Sequence, residues 1–500
     1  MRVSSWWPPK RSMNWTARHT GGGAGSFREP AQADAACGIR RAARGCAAAL
    51  LLACALAFAG AAAPFGQTPA HADVRKADVV MGQSVDSRGL AAAQCPDIEA
   101  EYAIVTDDAG TVYFERNAQE PTEIASITKI MTAIVALENA PLDTPVRVSA
   151  AAATVGQSSA GLQEGDALTL EAALSALLVP SGNDAAIAIA ESVGALMSAQ
   201  EDGYEAFVAA MNAKAAELGC VDTVFTNPHG LDYGEFAGDL HSCAADVALM
   251  ARCAMQDETF RAAVAQAAAT IEVTGADGAT RLVELESTDE LIGVYEGACG
   301  IKTGLTDRAG PSFAGACTRD GRTLFAIVIN STSEAQRFED ATTLYDWVFE
   351  HVIDYPLAHS PETASATIGG QAMQVPVVAE VAHAGWVDAT VKATLADPQA
   401  SVEVFDLNGN VSQSLSFDEL TGDVHAGDKV GTITFKQRNN VIATMDLVAC
   451  EDLAAPNLLE GIGVWWDRLF RGFSGQQQVA QSVTLNETPL VNDKTQGASA

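Results

Sequence analysis

The chain has 500 residues, 48% hydrophobic and 19% charged, with mean hydropathy +0.09, which excludes a disordered or collagen-like polymer and calls for several domains. Its net charge is −33, but residues 1–72 hold eight Lys/Arg and two acids, which leaves 22 basic and 61 acidic residues, net −39, in the rest. A body that acidic repels phosphate backbones, so nucleic acid is excluded as a partner, and any membrane contact has to be local and apolar.

In chain order, Arg40, Arg41 and Arg44 precede an apolar run from Cys46 to Ala63, and a polar segment then ends in Ala70-His71-Ala72. A charged region, an apolar region and a small-residue cleavage site in that order predict an export signal and leader over 1–72, cut after Ala72. Residues 73–98 read as a loosely held N-terminal extension. Of the seven cysteines beyond the leader (Cys95, Cys220, Cys243, Cys253, Cys299, Cys317 and Cys450), Cys299 and Cys317 flank a hairpin pattern and are the expected disulfide pair. None of the seven forms a C-x-x-C or has a histidine at zinc spacing, so no metal site is expected.

Residues 99–352 alternate strand and helix patterns. Stretches 101–107 and 111–117 predict two strands around an Asp-Asp-Ala-Gly turn. Ile127, Ile130, Met131, Ile134 and Leu137 recur at helical spacing, and 168–179, 184–197 and 207–219 predict further helices. Three strands are expected over 300–304, 311–319 and 323–331, then a closing helix over 333–352. Strands at both ends of a helical block imply one sheet faced by helices, an α/β (α+β) domain. Over 356–448 helical patterns give way to short alternating strands, which predicts a small all-β domain. In 457–473, Leu458, Leu459, Ile462, Trp465, Trp466, Leu469, Phe470 and Phe473 fall within an arc of about 140°. Such a helix is expected to lie in a membrane surface and to be completed only on binding, its three glycines lowering its own helicity. The remainder, 474–500, reads as a disordered tail.

Three short motifs carry chemistry. Ser126 and Lys129 stand three apart on a helix, hence on one face, where an amine of lowered pKa can take the hydroxyl proton. Ser181-Gly182-Asn183 lies between two helices, and Lys302-Thr303-Gly304 sits in a strand where the glycine permits close approach of a ligand backbone. Each alone is an ordinary turn or edge-strand feature. In this order, S-x-x-K, S-x-N and K-T-G are the set of the penicillin-recognising serine enzymes. With 123–133, 177–191, 225–232 and 300–310, the chain resembles the D-alanyl-D-alanine carboxypeptidases, the low-molecular-mass penicillin-binding proteins. The resemblance is close over 99–352 and looser over the β domain and the amphipathic segment.

That resemblance implies a penicillin-recognising transpeptidase/β-lactamase-like catalytic domain and a cofactor-free reaction on peptidoglycan stem peptides ending in D-Ala-D-Ala, with β-lactams as inhibitors. It implies a location at the outer face of the cytoplasmic membrane or in the cell wall. Ser126 is implied as the nucleophile, Lys129 as its base and Ser181 as a proton relay. Asn183 is implied to hold the peptide amide, Lys302 and Thr303 to receive the substrate carboxylate, and Gly304 and Leu305 to complete the binding edge. The N–H groups of Ser126 and Leu305 would form the oxyanion hole. The usual Asn-basic pair before K-T-G is replaced by Asp289-Glu290, and His229 reads as structural. Competing readings are a β-lactamase, disfavoured because no Glu-x-x-Leu-Asn lies between Ser181 and Lys302, a D,D-endopeptidase, and a non-catalytic penicillin- or wall-binding protein.

Overall fold

A computed structural model of the chain describes residues 75–198, 202–368 and 371–491. The expected leader therefore lies outside the described residues. Seven strands form one sheet in the order Gln83–Ser84, Asp78–Val80, Val112–Arg116, Tyr102–Asp107, Arg322–Ile329, Ser312–Arg319, Ala298–Gly304. Neighbouring strands in it are antiparallel.

Strand alternation sends successive side chains to opposite faces, and each face has its own core. Ile104, Ala314, Phe325, Ile327 and Ile329 join a large helical core that includes Ile130, Ile134, Leu174, Ile189 and Phe207. Ala103, Val105, Leu324, Ala326 and Val328 point the other way, onto Phe338, Leu344, Tyr345 and Val348 of the closing helix Gln336–His351. The same alternation overturns the expected disulfide. Cys299 packs toward the first core and Cys317 toward the second, and both are free thiols.

Of the expected loosely held extension over 73–98, the described residues 75–98 are firmly held. Asp78–Val80 is a sheet strand, and Asp78 grips Arg116 through Nε–Oδ1 (2.6 Å) and Nη2–Oδ2 (3.1 Å) with both side chains buried. Arg116 Nη1 also donates to the carbonyls of Ile98 and Ala100 (2.9 and 3.0 Å), so one guanidinium ties the N-terminal segment to the sheet. Arg88 does similar work, donating to Val80 O and Met81 O on one side and to Leu407 O and Asn408 Oδ1 on the other.

Strand Val352–Pro356 pairs with Ser401–Phe405 and leads into the C-terminal β region. There a six-stranded sheet runs Val411–Phe417, Lys429–Gln437, Asn440–Ala449, Thr390–Leu395, Ala379–Ala382, Val483–Thr484 around Val381, Val391, Ile433, Phe435 and Leu447. Its last strand corrects the expectation of a disordered tail. Val483 and Thr484 pair with Glu380 and Ala379, and buried Asn486 donates to Leu357 O (2.9 Å) and accepts from the His359 N–H (2.6 Å). The apolar segment before it is a formed helix, Leu458–Ser474, opened by an Asn457/Glu460 capping box. Its completion does not await binding.

Removing one partner of a buried ion pair leaves the other charge uncompensated. Asp78→Ala is expected to destabilise the protein by about 3–5 kcal/mol. Urea denaturation measures this, with Asp86→Ala as a surface control expected to lie within about 0.5 kcal/mol of the parent.

Candidate active site

Ser126 sits in a short 3-10 turn, Ala125–Thr128, that runs directly into the helix Lys129–Asn139. The turn begins with Ala125 at φ +47°, a left-handed conformation that costs a side-chain-bearing residue energy and is held here by its surroundings. Two neighbours hold it. A Cβ on Gly230 would fall 1.9 Å from the Ala125 carbonyl oxygen, and one on Gly304 would fall 2.9 Å from Ile124 O and 3.2 Å from an Ile127 side-chain carbon. Glycine at both places lets two distant segments press against the serine turn.

Lys129 is fully buried on the first turn of that helix. Its Nζ donates to Ser126 Oγ (2.8 Å), Asn183 Oδ1 (2.7 Å) and the His229 carbonyl (2.9 Å). All three ammonium donors thus point at fixed acceptors, none of them a carboxylate. Burial pushes the Lys129 pKa well below the ordinary lysine value, and the Lys302 charge pushes it the same way, with Asp184 opposing.

Asn183 opens the helix Asn183–Met197, and its Nδ2 donates to Gly156 O (3.0 Å). That leaves the amide oxygen fixed toward Lys129. Ser181 precedes it at φ +64°, and its Oγ is buried with no hydrogen-bond partner in the structure. The loop opposite is braced by Asp184, which accepts from Ser159 Oγ and from the N–H groups of Ala160, Leu162 and Ala185.

The third side is the edge strand Ala298–Gly304. Lys302 is buried there, and its Nζ donates to Thr303 O (3.0 Å). Burial first, then the Arg337 charge, bring its pKa down to about 7, with Asp289 opposing. Thr303 Oγ1 lies 2.6 Å from Thr288 Oγ1. Leu305, just past the glycine, is half exposed.

Ser126, Lys129, Ser181, Asn183, Lys302, Thr303, Gly304 and Leu305 are therefore brought together from three separate stretches. His229 is buried, its ring nitrogen Nδ1 accepts the Leu231 N–H, and burial together with Lys129 holds its pKa down to about 3. A neutral ring packed edge-on to Phe236 at 4.5 Å is a brace for the loop that supplies the carbonyl to Lys129. Thr132, one turn beyond Lys129, fixes the same loop by donating to Pro228 O (2.6 Å).

Arg337 was not foreseen. It is buried at the start of the closing helix, donates to Gly304 O (3.3 Å), and meets Glu334 at 3.3 Å. In sequence it is one more basic residue on an amphipathic helix; only the packing of that helix under the sheet brings it to K-T-G. Asp289, at the unusual Asp-Glu position, is buried with one carboxyl oxygen unpartnered, and burial raises its pKa to about 6 against the pull of the Leu291 N–H, Lys302 and Arg337. Among the described residues no group of three His, Cys, Asp or Glu side chains could hold a metal ion.

Residues 90–333 match the family model described as D-alanyl-D-alanine carboxypeptidase. The D-alanyl-D-alanine carboxypeptidase DacB2 of Mycobacterium tuberculosis is 35% identical over 258 residues, 51% of this chain and 84% of that protein. The D-alanyl-D-alanine carboxypeptidase DacF of Bacillus subtilis is 28% identical over 364 residues, 71% of this chain and 86% of its own. The solved Streptomyces K15 DD-transpeptidase aligns with 51% of this chain and 98% of its own at 32% identity, with a TM-score of 0.48. Since the Mycobacterium tuberculosis relative is 35% identical over 84% of its length and the family model matches the same region, the chain belongs to the D-alanyl-D-alanine carboxypeptidase family.

Proposed function

We propose that this chain is a serine carboxypeptidase that removes the terminal D-alanine from peptidoglycan stem peptides through an acyl-enzyme on Ser126. One observation carries the reading: a fully buried amine of depressed pKa lies 2.8 Å from the hydroxyl it must deprotonate. In its neutral form Lys129 has a lone pair for the Ser126 proton, so Oγ can attack the carbonyl of the penultimate D-alanine. The N–H groups of Ser126 and Leu305 receive the oxyanion. Ser181 Oγ has no competing partner, which suits it to carry the proton from Lys129 to the departing amine. Lys302, Thr303 and Arg337 form the cationic, hydroxyl-bearing end that receives the substrate carboxylate. Water then takes the place of the amine, and Lys129 serves again as its base. No cofactor enters these steps.

β-Lactams acylate the same serine and leave slowly, since no Glu-x-x-Leu-Asn stands between Ser181 and Lys302 to activate a deacylating water. An endopeptidase acting on cross-links would use the same atoms, and product analysis on cross-linked muropeptides separates the two activities.

The chain is exported and works at the outer face of the cytoplasmic membrane, on which helix Leu458–Ser474 lies in plane. Leu458, Leu459, Trp465, Phe470 and Phe473 are each more than half exposed. Trp466 stacks on Phe470, extending the same apolar face. No described helix is long and apolar enough to cross a bilayer. The polar face is tied down instead. Arg468 donates to Ala384 O and Trp386 O (2.5 and 2.9 Å), and Arg471 forks onto Asp388 (3.0 and 2.6 Å). Both arginines are thus engaged within the protein, so attachment rests on apolar insertion.

Three outcomes test this. Native protein releases D-alanine from a D-Ala-D-Ala peptide and carries a benzylpenicillin adduct on Ser126 by mass spectrometry; Ser126→Ala loses both, with activity down at least about a thousandfold. Release by Ser126→Ala at the native rate would refute the assignment. The pH profile of kcat/KM falls on the acid side as Lys129 becomes protonated, and on the alkaline side as Lys302 loses its charge near pH 7. Lys302→Arg keeps that charge and moves the alkaline limb upward. For the membrane, deletion from 457 would also strip the strand Val483–Thr484 from the β sheet. The cleaner variant is Trp465→Ala/Trp466→Ala/Phe470→Ala, expected to free the protein from phosphatidylcholine vesicles in flotation, whereas the parent floats with them.

A further inference from the structure

A cavity of about 390 Å³ lies at the other end of the K-T-G strand, bordered by its first residues Ala298 and Cys299. From Cys299 to Lys302 is three residues of strand, roughly 10 Å, so the cavity is separate from the serine site. Its volume falls within the range of small-molecule pockets, about 300–1,000 Å³.

Its lining is mixed. Arg252 and Arg261 border it from the last turns of the helices Ala244–Ala254 and Glu258–Val264. Each is held by a carbonyl: Arg252 Nη2 by Asp108 O (2.7 Å) and Arg261 Nη1 by Met255 O (2.7 Å). Arg252 Nε is buried with no partner. Arg116, Arg281, Arg319, Arg322 and Arg471 in this acidic chain find carboxylates, whereas Arg88 and Arg468 are held by carbonyl and amide oxygens. Neither Arg252 nor Arg261 has a carboxylate oxygen within 4 Å among the described residues. Asp108 also borders the cavity, but that residue is exposed and engages Arg252 through its main-chain carbonyl. Phe325, Met255 and Ala265 add apolar lining, and the Thr318 and Thr323 hydroxyls satisfy each other at 2.8 Å.

A half-buried Arg252 with an unused buried donor and an exposed Arg261, beside apolar lining, are complementary to an anion with a hydrocarbon body. A bare phosphate or sulfate would leave the apolar lining uncovered, and an apolar molecule would leave the guanidiniums without a counter-charge. We propose that this cavity is a second, non-catalytic binding site for a small organic carboxylate with an aliphatic or aromatic body, its head on Arg252 and Arg261 and its body against Phe325 and Met255. The site is independent of the carboxypeptidase reading.

Cys299 borders the cavity and reports on its occupancy. In the full chain, with Ser126 first acylated by benzylpenicillin, iodoacetamide labelling of Cys299 is followed by peptide mass spectrometry with and without sodium octanoate. At about ten times its Kd, octanoate is expected to slow the labelling about tenfold. Octylamine at the same concentration is expected not to protect, and the double variant Arg252→Ala/Arg261→Ala to lose protection while being acylated by benzylpenicillin at the parent rate. Calorimetry repeats the test without the thiol: octanoate heat from one site in the parent and none in the double variant. No octanoate heat in the parent, equal protection by octylamine, or full octanoate binding by the double variant would each overturn the proposal.

Discussion

The arrangement depends on keeping one lysine out of water. An ammonium surrounded by Ser126 Oγ, Asn183 Oδ1 and a main-chain carbonyl, with no carboxylate among its acceptors, has lost its hydration shell without gaining an ion pair. The free energy of that burial appears as a depressed pKa, the property that the proposed role of Lys129 as a base requires. A second buried cation, Lys302, pushes the same way, and is itself pressed down by Arg337. Asp184 and Asp289 offset part of this repulsion from a distance. The acid balance of the surface does not reach inside: the site is cationic within a chain of net charge −33.

Such a cluster is stable only if the backbone around it cannot relax. Ala125, just before Ser126, and Ser181 itself hold left-handed φ values that their side chains disfavour. Gly230 and Gly304 press on the serine turn from two directions, and Thr132 and His229 hold the loop that carries Gly230. The strain is offset by the helical core beneath, where Ile127, Ile130, Met131 and Ile134 are almost wholly buried. Burial of one face of this helix therefore serves both stability and the proposed chemistry: it fixes the axis along which Ser126 and Lys129 are one turn apart.

Much of this was legible because its signals are local. The Ser126/Lys129 spacing needs only a helix, and the alternation in 101–107 and 323–331 needs only a sheet with two covered faces. What escaped depends on contacts between distant segments. Arg337 gains its meaning from where the closing helix docks, thirty-three residues after the glycine whose carbonyl it meets. Asp78 looks like any surface acid until Arg116, 38 residues on, is buried against it. The disulfide expectation failed for a related reason: proximity in a hairpin does not choose a face, and strand parity placed Cys299 and Cys317 on opposite sides of the sheet. The tail was misread because polar composition was taken for disorder, whereas Asn486 exchanges hydrogen bonds with Gln413 and with the 357–359 backbone.

The C-terminal region follows the same logic as the active site, a costly feature held in place by neighbours. A helix with Trp465, Trp466, Phe470 and Phe473 facing water would be a liability if it were free to swing or unfold. Its entry is capped by Asn457 and Glu460, and its polar face is pinned by Arg468 and Arg471. Downstream, the chain returns to add an edge strand to the β sheet. Both ends of the helix are thereby tied to the β sheet, so its apolar face is presented as a fixed surface. The ordering entropy has already been met in folding, which leaves the apolar contact free to contribute to the proposed attachment. On the proposed lipid surface, a prebuilt face would hold its aromatic rings at one depth and so set the height and tilt of the β domain above it.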